Sequence, residues 1–269
     1  MLTVLKHTLI ESIHRRMAVV LMVVSVMIFA LSMYFFRVQT QPDGKILVTM
    51  PNSKVSQPVE GFVREYSASH LALTAQLWTL LGIFALAPLL SSYLDTGIAG
   101  LLFTKGLARW QIFLGRIGGA FALFIATLVL LDGLPAVYFW LRAGVSPKNF
   151  LIAVSILVFS FLSIVATMGV ITLNSRGPAA AIIVAFLQVT ISGFLADRTM
   201  LLKMFNAKWF EKSLVFAYYV LPKNSDLARA AQGYMTTGHV TNWMPLWSTG
   251  LFTLALFAVS IFQLQRKSL

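Results

Sequence analysis

The 269-residue chain contains no cysteine and only four histidines. Without cysteine there is no disulfide framework, no thiolate nucleophile and no cysteine metal site, and redox chemistry says nothing about compartment. His7 and His14 share the N-terminal segment while His70 and His239 lie in two others, with no His-Glu-x-x-His pattern. Gly-x-Ser-x-Gly and the phosphate-cradling Gly-x4-Gly-Lys-Ser/Thr are also missing, so hydrolase and nucleotide-binding motifs fail. Charge is scarce as well. Charged residues make up 11% of the chain, against about 25% in soluble domains. Hydrophobic residues make up 58%, with a mean hydropathy of +0.81. These values exclude a soluble globular protein.

What remains is a set of long apolar runs. A helix that crosses hydrocarbon needs roughly 20 predominantly apolar residues, because no water is there to satisfy its backbone. Six segments qualify: 17–36, 71–94, 117–141, 150–173, 178–196 and 243–264. The expected fold class is all-α, a polytopic membrane protein with six transmembrane helices in one domain over 1–269. Asp132 is the single charge inside any span. Tyr34, Tyr138, Trp140, Trp243 and Trp247 lie at span ends, where rings favour the headgroup level. The first span follows His14, Arg15 and Arg16 but ends in Tyr34, Phe35 and Phe36. It is too long for the apolar core of a signal peptide and lacks small cleavage-site residues, so it is expected to stay uncleaved.

The net charge of +12 would suggest nucleic acid in a soluble protein. Here the basic residues cluster at the ends of apolar runs, so anionic lipid and topology explain them better, and no nucleic-acid partner is expected. Nine of the 21 basic residues fall in the short segments on one side. That bias places both termini in the cytoplasm and the long loops 37–70 and 197–242 outside.

Residues 1–16 put Leu2, Leu5, Leu9 and Ile13 on one helical face, with His7, Glu11, His14 and Arg15 opposite. This pattern predicts an amphipathic interfacial helix on the cytoplasmic leaflet; a basic start that merely sets topology is the plainer alternative. Loop 37–70 is rich in turn residues and holds β-prone pieces such as Ile46 to Thr49. Within 197–242, Leu214 to Leu221 is too short to span and is expected to be re-entrant or to rest on the outer interface. Gly115, Gly118 and Gly119 hold a Gly-x3-Gly spacing that suits either a close helix approach or an easy turn. Ser160, Ser163, Thr167, Thr172, Gln188 and Thr190 give spans four and five polar faces, suited to interhelical bonds or to a translocation route.

The most informative stretch is Asp95 to Arg116, DTGIAGLLFTKGLARWQIFLGR. A simple turn needs only a few residues, whereas this segment has helix-length apolar content and a docked element explains it better. Here the chain resembles the ATP-binding-cassette type-2 exporter permeases, in the branch that includes the nitrous-oxide-reductase maturation permease. Asp95 stands for the family's acid and Gly97 for its glycine. Leu101, Leu102 and Phe103 stand for its leucine run, Arg109 for its arginine, and Leu114-Gly115-Arg116 for its Leu-Gly-Lys. Ile98, Gly106, Ala108 and Arg116 depart from the family's threonine, proline, serine and lysine. The layout of the whole chain is also similar, as is the Leu221-Pro222 piece.

The resemblance implies a pore-forming subunit of an exporter in a bacterial inner membrane. It would pair with a second permease copy, identical or not, and dock a separate nucleotide-binding ATPase through Asp95, Gly97, Leu101, Leu102, Phe103, Lys105, Arg109, Trp110 and Arg116. No cofactor would bind this chain directly; ATP and Mg would act through the partner. Two other classes stay open. A secondary carrier or channel usually needs more than one buried charge, and an intramembrane enzyme would have to use Asp132. Asp132 itself is either a hydrogen-bonded acid at a kink made by Gly133 and Pro135, or part of a substrate path or gate.

Overall fold

The computed structural model describes residues 2–14, 16–35, 37–40, 46–50, 53–91, 108–175, 177–204 and 208–266. The chain is a helical, membrane-integral protein. Its helices are α1 (Leu2–His14), α2 (Met17–Phe35), α3 (Val59–Ser91), α4 (Arg109–Ala143), α5 (Lys148–Ser175) and α6 (Pro178–Ala196). Then follow α7 (Arg198–Met204), α8 (Lys208–Val220), α9 (Asn224–Thr237) and α10 (Met244–Arg266). Among the described residues α3, α4, α5, α6 and α10 are long and apolar enough to cross a membrane. The first expected span forms as α2, whose apolar stretch, Val19–Leu31, is shorter.

Between α2 and α3 the described residues form an antiparallel sheet, β1 (Arg37–Thr40), β2 (Ile46–Met50) and β3 (Ser53–Pro58), in the order β1-β2-β3. The β-prone piece read at Ile46 is thus a strand, and the excursion has regular structure beyond the expected helices. Chain direction puts this sheet at the same end as the last residues of α4 and α6 and the first of α5 and α10. We call it the sheet end; α1 lies at the other.

Residues 59–70 differ from the expected loop. They continue α3 outward from the span, so that the helix is 33 residues long, about 50 Å at 1.5 Å per residue, against about 30 Å of hydrocarbon. Phe62, Val63, Tyr66 and His70 recur at helical spacing, and Phe62 and Val63 bury against Phe139 of α4 in a small cluster of their own. Gly144, at φ 67°, ends α4 in the left-handed region, with its N–H bonded to Trp140 O at 3.0 Å.

α5 is the most enclosed span, while α6 and α10 present more of their surface outward. Phe161 of α5 stacks on Phe124 of α4 at 3.5 Å between centroids. The pair lies against Gly82 of α3, where a Cβ would come within 2.6 Å of the Phe161 ring. Leu251 and Leu254 of α10 and Ile183 and Phe194 of α6 are exposed, as expected of side chains whose solvent is lipid.

α1 turns into α2 at Arg16, a left-handed residue at φ 59°, and packs on α4 and α2. Its buried line is Val4, Thr8 and Ser12, rotated from the expected Leu2, Leu5, Leu9 and Ile13 face; Ile13 is exposed. The reason is a glycine seat on α4. At Gly119 a Cβ would stand 2.6 Å from Thr8 Cβ, and Gly118 has Leu5 nearby. Replacing Gly119 by alanine therefore displaces α1, at a cost of about 1–3 kcal/mol for overpacking. Gly61, with nothing within 4 Å of its virtual Cβ, is the control. Thermal unfolding in mild detergent is expected to show a lower midpoint for Gly119→Ala and an unchanged or higher one for Gly61→Ala. Equal midpoints would contradict the close approach.

Candidate functional site

α9 begins inside the bundle. It packs on α5, α3 and α6, with Leu227, Ala231 and Met235 buried. A helix start leaves backbone N–H groups without intrahelical partners, and inside a bundle they need protein acceptors. Thr249 of α10 accepts from Lys223 N at 3.0 Å, and Ser192 of α6 accepts from Ser225 N at 2.8 Å. The Asn224 amide donates to Ser160 O at 2.8 Å, Ser160 Oγ at 3.0 Å and Ser163 Oγ at 2.9 Å, all on α5. Gln188 of α6 closes the network, donating to Asn224 Oδ1 at 3.1 Å and Ser163 Oγ at 3.2 Å. Of the polar residues read on spans four and five, Ser160, Ser163 and Gln188 thus meet around a residue of the excursion that the sequence does not single out, whereas Thr167, Thr172 and Thr190 bond to carbonyls of their own helices.

Beside this network lies a cavity of about 500 Å³ between α3, α4, α5, α6 and α9, within the usual size range of small-molecule sites. Its walls are largely apolar, as at Leu80, Phe124 and Phe186, and it carries polar groups at Gln76, Thr190 and Gln232. Arg229 is the only ionisable residue lining it among the described residues, and that guanidinium is bonded to Asp197 Oδ1 at 2.7 Å and Ala196 O at 3.2 Å.

Asp132 of α4 is buried. Its Oδ1 accepts a hydrogen bond from Thr74 at 2.8 Å and lies 3.4 Å from His70 Nε2, both on α3. Oδ2 is buried without a hydrogen-bond partner. The His70 ring also bonds to the Leu131 backbone and stacks against Tyr66 at 5.6 Å. The structure adds a second buried titratable group beside Asp132, His70; apolar length starts this span only at Leu71 and so leaves His70 in the preceding loop.

Near α9 the Tyr218 hydroxyl of α8 donates to Asp226 at 2.8 Å, while Arg198 and Lys223 both sit over its ring, at 3.7 and 4.6 Å. Burial pushes the Tyr218 phenol up from its ordinary value, with the Asp226 carboxylate adding to the rise. Burial holds the Lys223 ammonium below its ordinary value, and Lys223 Nζ donates to Ser248 at 2.8 Å.

Of the expected docking residues, Asp95, Gly97, Leu101, Leu102, Phe103 and Lys105 lie outside the described residues. Arg109 and Trp110 form the first turn of α4, and Trp110 is exposed. Arg116 is different. It is 1% exposed and pairs with Glu11 of α1, so this side chain is used inside the chain and is not presented to a partner. The same pair explains why Glu11, read on the solvated face of α1, turns inward.

The chain matches no family model, and no curated protein matches it.

Proposed function

We propose that the chain is the membrane permease subunit of an ATP-binding-cassette exporter in a bacterial inner membrane. The observation that carries the transport reading is the cavity at the inserted start of α9. An open space that holds polar groups such as Gln76, Thr190 and Gln232 inside a membrane bundle has a solvation cost that lipid-facing packing alone does not require. The resemblance of Asp95 to Arg116 to exporter permeases supplies the energy source, a separate nucleotide-binding ATPase that brings ATP and Mg. On this reading α2 is a sixth span, both termini and the α1 end face the cytoplasm, and the sheet end is external. A second permease copy, identical or not, completes the pore.

Coupling then has a physical route. The partner engages the segment ending in Arg109 and Trp110, at the first turn of α4. Force on that turn reaches α1 through the Arg116–Glu11 pair and the Gly119 seat. It reaches the cavity through Phe124 on the same helix. A tagged chain purified in mild detergent from its native membrane is expected to carry a nucleotide-binding subunit in stoichiometric amount. Arg109→Glu or Trp110→Ala is expected to cut copurification and transport-stimulated ATP hydrolysis at least about fivefold, the loss of roughly 1 kcal/mol of interface energy, while the membrane fold stays intact. Unchanged copurification and hydrolysis in both variants would overturn the docking role.

One observation favours a second reading, a proton-coupled secondary carrier: the buried contact of His70 with Asp132. Carriers that move protons need neighbouring titratable groups at depth. In proteoliposomes holding the chain alone, a carrier would move solute under an imposed pH gradient, and Asp132→Asn would abolish that movement. The exporter reading expects no such flux.

A further inference from the structure

We propose that the cavity between α3, α6 and α9 takes an amphiphile with an uncharged, hydrogen-bonding head. This rests on reading the cavity as the substrate site.

Several of the polar groups that line the cavity are already committed to the protein. Asn224 uses its amide on Ser160 and Ser163 and its oxygen on Gln188. Thr79 and Thr190 donate to carbonyls of their own helices. Among the described residues, the amides of Gln76 and Gln232 and the hydroxyl of Ser225 line the cavity with no hydrogen-bond partner. Each is neutral and each can both donate and accept. They therefore match hydroxyl or amide groups of a ligand without asking for a countercharge.

Charge of either sign is poorly served. The lining holds no carboxylate among the described residues, so a cationic head would lose its water with nothing opposite to replace it. Arg229 carries the one positive charge in the lining among the described residues, and its pairing with Asp197 at 2.7 Å offsets that charge, so an anionic head gains less there than from an unpaired cation. The rest of the wall, including Leu80, Leu128, Leu157 and Phe186, is apolar and suits an acyl or ring body. A site whose polar groups are aimed at ligand hydroxyls discriminates strongly against analogues that leave them unpaired.

The test uses the full chain in phosphatidylcholine nanodiscs and a monoacylglycerol with a diazirine in its acyl chain. Photolabelled peptides are mapped by mass spectrometry, with monoacylglycerol, the matching fatty acid and the matching alkyltrimethylammonium as competitors. Labelling is expected on α3 and α6 at cavity residues, and unlabelled monoacylglycerol is expected to compete at least about tenfold better than either charged analogue. Gln76→Leu and Gln232→Leu are each expected to weaken competition about fivefold, the usual worth of one hydrogen bond. Ser225→Ala provides a smaller third change if either leucine variant fails to elute as a monodisperse species. Equal competition by the charged analogues, or labelling confined to the lipid-facing surface, would overturn the assignment. The assay needs no ATPase, so its failure beside a stoichiometric nucleotide-binding partner would remove the ligand class and leave the exporter reading standing.

Discussion

A helix that starts within a membrane bundle has to find acceptors for its first N–H groups in protein, and this requirement organises the centre of the chain. The hydroxyls of Ser192 and Thr249 accept from the backbone at Ser225 and Lys223, from α6 and α10. The Asn224 amide is held by α5. Three spans are therefore positioned by one helix start, and the cavity is the space left where α9 enters short of a full crossing. Neutral hydrogen bonds suit this job, since each is individually modest within membranes yet leaving its groups unpaired is costly.

The two charged contacts divide the labour differently. Arg116 and Glu11 sit at the α1 end, where a buried pair fixes the seating of this short helix on α4. Asp132, Thr74 and His70 join α3 to α4 nearer the sheet end, with the Tyr66 and Phe139 rings packed together closer to that end. α4 carries both contacts and also the Phe124 wall of the cavity. A shift of α4 consequently bears on both ends and the middle together, as the proposed coupling requires.

Much of this was legible in the residues. Apolar length located α5, α6 and α10 closely, while α3 and α4 begin well before their expected spans; Pro178–Ala196 matches its helix at both ends, because Pro178 supplies an N-terminal start signal and the run is apolar throughout. The strand at Ile46 followed from the β-prone residues Ile46, Val48 and Thr49. The start of α3 did not, because a window tuned to hydrophobicity ignores Val59 to His70, where Glu60, Arg64 and Glu65 are polar although the helical spacing of Phe62, Tyr66 and His70 persists. That omission also concealed the partner of Asp132. The seat of α1 was misjudged for a related reason: amphipathic counting treats threonine and serine as polar, whereas Thr8 and Ser12 bond to carbonyls of their own helix and bury readily. No single-segment pattern could place Asn224, since its partners are 36 to 64 residues away.

The most direct test of the inserted α9 takes advantage of the missing cysteines, which leave no background. Single cysteines at Leu227, Ala231 and Thr237 would be reacted in whole cells with a membrane-impermeant maleimide. Labelling is expected at Thr237, which is exposed, and protection at Leu227 and Ala231, both 0% exposed. Equal labelling at all three positions would mean that α9 lies on the surface, and the cavity and the transport function built on it would fall with that insertion.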